Sequence, residues 1–206
     1  MSRCRRHAWR SLLLMALLAT LSACTLLPEG SPASIHLLPA AEQPRADGPT
    51  LPTTLRIETP HAPTLLTGTR ILVMPEPHRL QAYEGARWSD RTPLLLRDRF
   101  IEGFRQRGRL AATLDDNSPL AADVALVTDL RVFHSEYIAG EPVAVIRLDA
   151  SLVDERDRRL LATRRFEAQA ASTGTAVTRV VEAFGRAGDS LTAELIDWTH
   201  DTLGNR

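Results

Sequence analysis

The chain has 206 residues, 44% of them hydrophobic and 24% charged, with 25 Lys+Arg balanced by 25 Asp+Glu. That length makes one domain with an appendage, and the composition excludes a wholly disordered chain, a collagen-like repeat and a multi-span membrane protein. Zero net charge argues against a nucleic-acid partner, and two Cys cannot build a disulfide framework or a Cys-rich zinc site.

The first ten residues carry Arg3, Arg5, Arg6 and Arg10 and no acid, and the run Leu12 to Leu21 is apolar except for Thr20. A basic start before a short apolar run is the layout of a secretory signal peptide, and the run is far shorter than the ~20 residues of a bilayer span. Arg5-Arg6 alone would fit a twin-arginine signal, but the residues after it do not, so ordinary Sec export is expected. The run ends in Leu21-Ser22-Ala23-Cys24. This resembles a bacterial lipobox: small side chains let a signal peptidase grip an extended backbone, and the Cys thiol accepts diacylglycerol. Cleavage between Ala23 and Cys24 is expected, with Cys24 lipidated and bearing palmitate-type chains. Losing four Arg and no acid leaves 21 basic against 25 acidic side chains, a net charge of −4. Several acyl chains hold a membrane far more firmly than one. Thr25 stands where the inner-membrane retention signal of the proteobacterial sorting pattern has Asp. Outer-membrane anchorage facing the periplasm is the expectation.

From Thr25 to Thr53, Pro at 28, 32, 39, 44, 49 and 52 predicts tether and loop, with neither helix nor central strand. Ile35-His36-Leu37-Leu38 is an island that can pair as a short edge strand. The free tether then spans 25–33, a reach of at most roughly 30 Å. Leu55 to Glu58 alternates like a short strand, Arg70 to Met74 reads as a buried strand stopped by Pro75 and Pro77, and Leu80 to Trp88 as another. At Thr92 the period changes. Thr92 suits an N-cap and Pro93 the first helical position, Leu96, Phe100, Ile101 and Phe104 share a face, and Gly108 can close a helix of about 15 residues.

A β-rich block follows: a strand Leu110 to Leu114, a turn Asp115 to Pro119, and a half-buried strand Asp123 to Phe133. In Val143 to Val153, Ala144, Ile146, Leu148, Ala150 and Leu152 face one way, against Arg147, Asp149 and Ser151. Asp154 to Arg158 is a charged hairpin loop, and Leu160 to Ala168 its returning partner with Phe166 inward. A long helix, about Thr175 to Thr202, carries Val177, Val180, Val181, Phe184, Leu191, Leu195 and Trp198 at helical intervals. Gly185 and Gly188 inside it either allow close packing against the sheet or are tolerated weak points of about 1 kcal/mol each relative to Ala. The expected fold class is α+β: a mainly antiparallel sheet of about five to seven strands with two helices packed on one face. The expected organisation is a signal peptide 1–23, a lipidated tether 24–33 and a single domain 34–206.

The catalytic motifs are missing. There is no G-x-S-x-G, H-E-x-x-H, P-loop or G-x-G-x-x-G. His200 near Asp197 and Asp201 reads as a solvated helix end, and Asp115-Asp116-Asn117 lacks calcium-loop spacing. No enzyme, metal or cofactor is expected beyond the covalent lipid on Cys24. Tyr83-Glu84-Gly85-Ala86-Arg87-Trp88 is less ordinary. It is either a packed strand end or a contact surface, since Tyr, Trp and Arg are common interface anchors.

Taken in order, several segments resemble the ABC-type transport auxiliary lipoproteins, partners of MCE-domain lipid-transport systems. They are Arg70-Ile71, Tyr83, Trp88, Pro93 and Leu94 to Leu96, then Asp129 to Phe133, Leu148, Leu152-Val153, Arg159 to Ala162 and Phe166, and finally Ala183-Phe184, Ala187 and Leu195 to Trp198. The likeness covers about residues 35 to 200, with Ile35 to Pro39 lacking the family's Tyr. The resemblance implies a non-catalytic outer-membrane subunit that docks an MCE-domain protein and an ABC permease and ATPase complex across the periplasm. It also implies a candidate homo-oligomer, because some members form rings. Tyr83, Arg87 and Trp88 are the expected partner-binding residues. The alternative is a lipid-binding carrier module on the outer membrane, which requires an apolar cavity of about 300 Å³ or more.

Overall fold

The computed structural model describes residues 32–40, 48–107 and 109–205. Ala23, Cys24, the signal peptide, most of the tether and the Gly108 helix stop lie outside the described residues. The chain divides into two compact units, Met1–Pro32 and Ala33–Arg206, and all the described strands and helices belong to the second.

In chain order these are β1 Ser34–His36, β2 Leu51–Ile57, β3 Arg70–Glu76, β4 Arg79–Trp88, α1 Thr92–Arg107, β5 Leu110–Asp115, β6 Val124–Ile138, β7 Glu141–Asp154, β8 Leu160–Ala171 and α2 Val177–Gly204. They form one eight-stranded sheet, and it is mixed. This corrects the expectation of a mainly antiparallel sheet of five to seven strands. β6 organises it. One edge of β6 pairs antiparallel with β7, which pairs antiparallel with β8. The other edge carries two parallel partners in series: β2 along Val124 to Leu126, and β3 along Ser135 and Glu136. Between them, His61 bridges to Asp129 in the same parallel sense. β5 then extends the β2 end, while β4 and β1 extend the β3 end.

The inward face of β7 follows its alternation. Ala144, Ile146, Leu148, Ala150 and Leu152 are fully buried. They share a core with Leu96, Phe100, Ile101 and Phe104 of α1 and with Val180, Phe184, Leu191 and Leu195 of α2. Phe166 is buried and meets Trp198 edge-on at 5.4 Å.

Several local details depart from the sequence pattern. β2 begins at Leu51 and includes Pro52, although it lies between β5 and β6. The ladder with β5 shifts register between Leu51 and Thr54, a bulge that accommodates the missing N–H. β3 likewise continues through Pro75 beside a register shift. Thr92 does not cap α1. Its hydroxyl reaches the Gly68 carbonyl at 3.4 Å, and the N–H groups of Leu94 and Leu95 donate to Arg91 instead.

Gly185 and Gly188 of α2 permit close packing, but not against the sheet. A Cβ on Gly185 would stand 3.0 Å from Pro39, and one on Gly188 would stand 2.7 Å from Arg99 Nε. Arg99 is the knot of this region. Its side chain is 5% exposed, and it donates to the carbonyls of Pro39 and Gly185 and to Asp189 Oδ1 at 2.6 Å. Burial lowers its pKa, and Asp189 pulls it back up. One α1 side chain thus straps the N-terminal arm onto α2. Arg99→Met removes one partner of a pair that is buried on one side and partly open on the other. We expect a loss of about 2–3 kcal/mol, at or below the lower end for fully buried pairs. Urea unfolding checks the loss, and faster amide exchange at residues 36–40 checks the release of the arm.

Candidate docking surface

The structure separates the three predicted contact residues. Trp88 is 1% exposed and packs edge-on against Phe133 at 5.8 Å and Phe184 at 5.4 Å, which stack on each other at 4.8 Å. Tyr83 is half-buried, and its hydroxyl shares a 3.0 Å hydrogen bond with Ser135, a fully buried residue. Desolvation raises the phenol pKa, and the Ser135 bond opposes it. Arg87 points the other way and is exposed. Alternation along β4 places it there, with Ala86 and Trp88 inward and Arg87 outward.

Arg87 stands opposite Arg70 in the β3–β4 ladder and opposite Ile35 in the β1–β4 ladder. Neither Arg forms an ion pair among the described residues, and like charges directly opposite repel. Ile35 is 59% exposed and Leu37, just beyond β1, is 73% exposed. This edge therefore offers two guanidinium groups beside aliphatic surface. Sequence reasoning found Arg87, but not Arg70 or Ile35 as its neighbours, because only the strand pairing brings them together.

The outer face of β6–β8 differs. There the charges satisfy one another. Asp149 accepts from Arg165 at 2.6 Å and Arg131 at 2.9 Å, and Arg147 donates to Glu167 at 2.6 Å. Hydrogen bonds from Arg165 and then Arg131 hold the Asp149 carboxyl at a pKa of about 2. A depressed carboxyl pKa contributes stability that is present above the unfolded value near 3.9 and lost as pH falls through about 2. Asp149→Asn is expected to cost under about 1 kcal/mol at pH 7, because Arg165 is largely solvated. Denaturation curves at several pH values should show that difference vanishing near pH 2.

Among the described residues, clefts of small-ligand size are present. One of about 430 Å³ is lined by Glu58, His61, Arg91, Pro93, Leu94 and Asp116, among others. Another, about 480 Å³, is lined by Arg56, Glu58, Val127, Val153, Glu155 and Arg158, among others. Both walls carry charges, unlike the apolar cavity a lipid carrier needs. Asp116 holds a turn in place by accepting from Thr59 N–H at 3.0 Å and Arg97 at 3.0 Å. Asn117 N–H closes an Asx turn on Asp115 at 2.9 Å, as turn chemistry predicts. Arg109 donates to His200 Nδ1 at 2.8 Å, and Asp197 accepts from Arg107 at 3.2 Å. Among the described residues no cluster of His, Cys, Asp and Glu is arranged to hold a metal ion, and no helix is long and apolar enough to cross a membrane.

Known structures share this fold. The crystal structure of protein XCC0632 from Xanthomonas campestris, of family DUF330, is 32% identical and superposes with a TM-score of 0.77, covering 82% of this chain and 96% of that one. Two more distant structures share the fold. An uncharacterized protein is 16% identical with a TM-score of 0.65, covering 82% of this chain and 99% of its own. Hypothetical protein CT253 from Chlamydia trachomatis is 7% identical with a TM-score of 0.53, covering 76% of this chain and 100% of its own. No curated relative matches. The profile of the family described as ABC-type transport auxiliary lipoprotein component matches residues 36–195. That match runs from the end of β1 through every later strand and well into α2, so the chain belongs to the ABC-type transport auxiliary lipoprotein family.

Proposed function

We propose that this chain is the non-catalytic lipoprotein subunit that docks an MCE-type ABC lipid-transport system at the outer membrane. The family match over residues 36–195 carries this reading. The signal peptide 1–23 is removed, Cys24 receives diacylglycerol and palmitate-type chains, and residues 24–33 tether the domain 34–206 on the periplasmic side. The MCE-domain protein arrives from the inner-membrane permease and ATPase. The exposed Arg70, Arg87 and Ile35 surface is its landing edge, a site suited to a partner presenting carboxylates beside apolar side chains. A homo-oligomer would repeat that edge around the conduit.

Mild crosslinking of the full-length lipoprotein in its native envelope, followed by isolation and mass spectrometry, tests the reading. Recovery of an MCE-domain protein and its permease is the expected result. Recovery of the lipoprotein alone with bound phospholipid overturns it in favour of a carrier. Arg87→Glu should cut recovery of the MCE-domain protein at least about tenfold, as expected for a contact worth about 1.4 kcal/mol or more. Its unfolding curve should stay within about 0.5 kcal/mol of wild type.

A further inference from the structure

Two hairpin turns lie side by side at one end of the sheet. β3 runs parallel to β6, with Met74 level with Glu136, so the β3–β4 turn at Pro77-His78 adjoins the β6–β7 turn at Ala139-Gly140. Their side chains are unusually apolar for an exposed end. Pro77 is exposed, Leu80 is 39% exposed, Tyr137 40% and Ile138 45%. The charges nearby are Glu76 and Arg79, paired at 3.4 Å, Glu136 beside Tyr137, and Glu141 at the start of β7. The opposite end of β7 turns through Glu155, Arg156, Asp157, Arg158 and Arg159, a wholly charged loop. Leu120 and Leu160 are exposed at that end too, at 63% and 56%, but they flank this run of charge, whereas the apolar side chains of the paired hairpins stand at the tips themselves. The hairpin end thus suits an apolar partner.

The chain direction decides what that partner is. β4 leads away from the Pro77-His78 turn, and β1 runs parallel to β4 with Ser34 level with Ala86. The polypeptide therefore enters β1 from the hairpin side. Seven residues separate Ala86 from Arg79 along β4, roughly 23 Å at strand rise. The nine residues 25–33 reach at most roughly 30 Å. An anchor at Cys24 thus lies within reach of the hairpin end without any reversal of the chain. Reaching the charged end would require the chain to turn back on itself.

We propose that the paired hairpin ends are the membrane-facing end of the domain, with Leu80, Tyr137 and Ile138 seated in the lipid interface of the bilayer that holds Cys24. This rests on the lipid anchorage proposed above. Tyr suits the headgroup level, and aliphatic neighbours suit the acyl boundary. With no basic cluster at this end, contact does not require anionic lipid. The docking edge at Arg70 and Arg87 then stands well below the tips, clear of the bilayer.

Single Trp reporters test this on the mature acylated protein in phosphatidylcholine vesicles. The variants are Leu80→Trp, Ile138→Trp and, at the far end, Leu160→Trp, each read against the native Trp background. Flotation with the vesicles first establishes anchorage. A protein that fails to float overturns the anchor and the orientation together. For floating protein, phosphatidylcholine brominated near the headgroup end of its acyl chains should quench about half the added emission at 80 and 138, and none at 160, as burial at the headgroup boundary requires. Quenching at 160 alone, at all three sites equally, or at none overturns the orientation while leaving the anchor intact.

Discussion

Trp88→Ala is expected to destabilise the domain by about 3–5 kcal/mol, the range for removing a fully buried aromatic side chain. Trp88 is 1% exposed and joins Phe133 of β6 and Phe184 of α2, so its loss opens a cavity where sheet and helix meet. Trp88→Phe should stay within about 1 kcal/mol of wild type. The indole N–H is buried with no partner among the described residues, and removing an unpaired donor recovers about 1–3 kcal/mol that offsets the smaller ring. Urea unfolding followed by far-ultraviolet circular dichroism separates the two variants. The pair also distinguishes roles. If Trp88 acts only through packing, Trp88→Phe retains the crosslinked partner that Arg87→Glu loses. Equal loss in both variants would make Trp88 a contact residue in its own right.

Cys24→Ser is expected to abolish acylation and remove the protein from the outer-membrane fraction. Each buried methylene contributes about 0.8 kcal/mol to membrane binding, so a multiply acylated Cys should dissociate negligibly. The Ser hydroxyl cannot replace the thiol in the lipid transfer. Mass spectrometry of the mature N-terminus and sucrose-gradient fractionation measure both consequences. The unfolding midpoint of the domain should not move, because Cys24 lies outside the packed unit Ala33–Arg206. An acyl mass persisting in the Ser variant, or unchanged outer-membrane recovery, would remove Cys24 from the proposed anchorage.

Local pattern carried far into this fold. The period-two alternation of β7 assigned Ala144, Ile146, Leu148, Ala150 and Leu152 to the inward face, because successive strand residues must face opposite sides of a sheet. The three- and four-residue recurrence in α2 assigned Val180, Phe184, Leu191 and Leu195 to the core for the equivalent helical reason. The island at Ile35 was legible as an edge strand because short apolar runs between prolines have few other uses. The prolines themselves misled at β2 and β3. A bulge at Pro52 or a strand end at Pro75 tolerates the missing donor, and a sequence does not announce a bulge.

Local sequence pattern set the inward faces of β7 and α2, the turn after Asp115, and the lipoprotein-signal order of the N-terminus. These follow from interactions within a few residues: alternation, helical spacing, turn chemistry and small side chains before a Cys. Which strands are neighbours came from the folded chain as a whole. β2 and β3 share one edge of β6 as parallel partners, although dozens of residues separate them from it. Pairing across such distances depends on competing closures of the whole chain, which no local period encodes. The same long-range pairing sent Trp88 into the core, left Arg87 beside Arg70 on the surface, and let Arg99 strap the N-terminal arm against two glycines of α2.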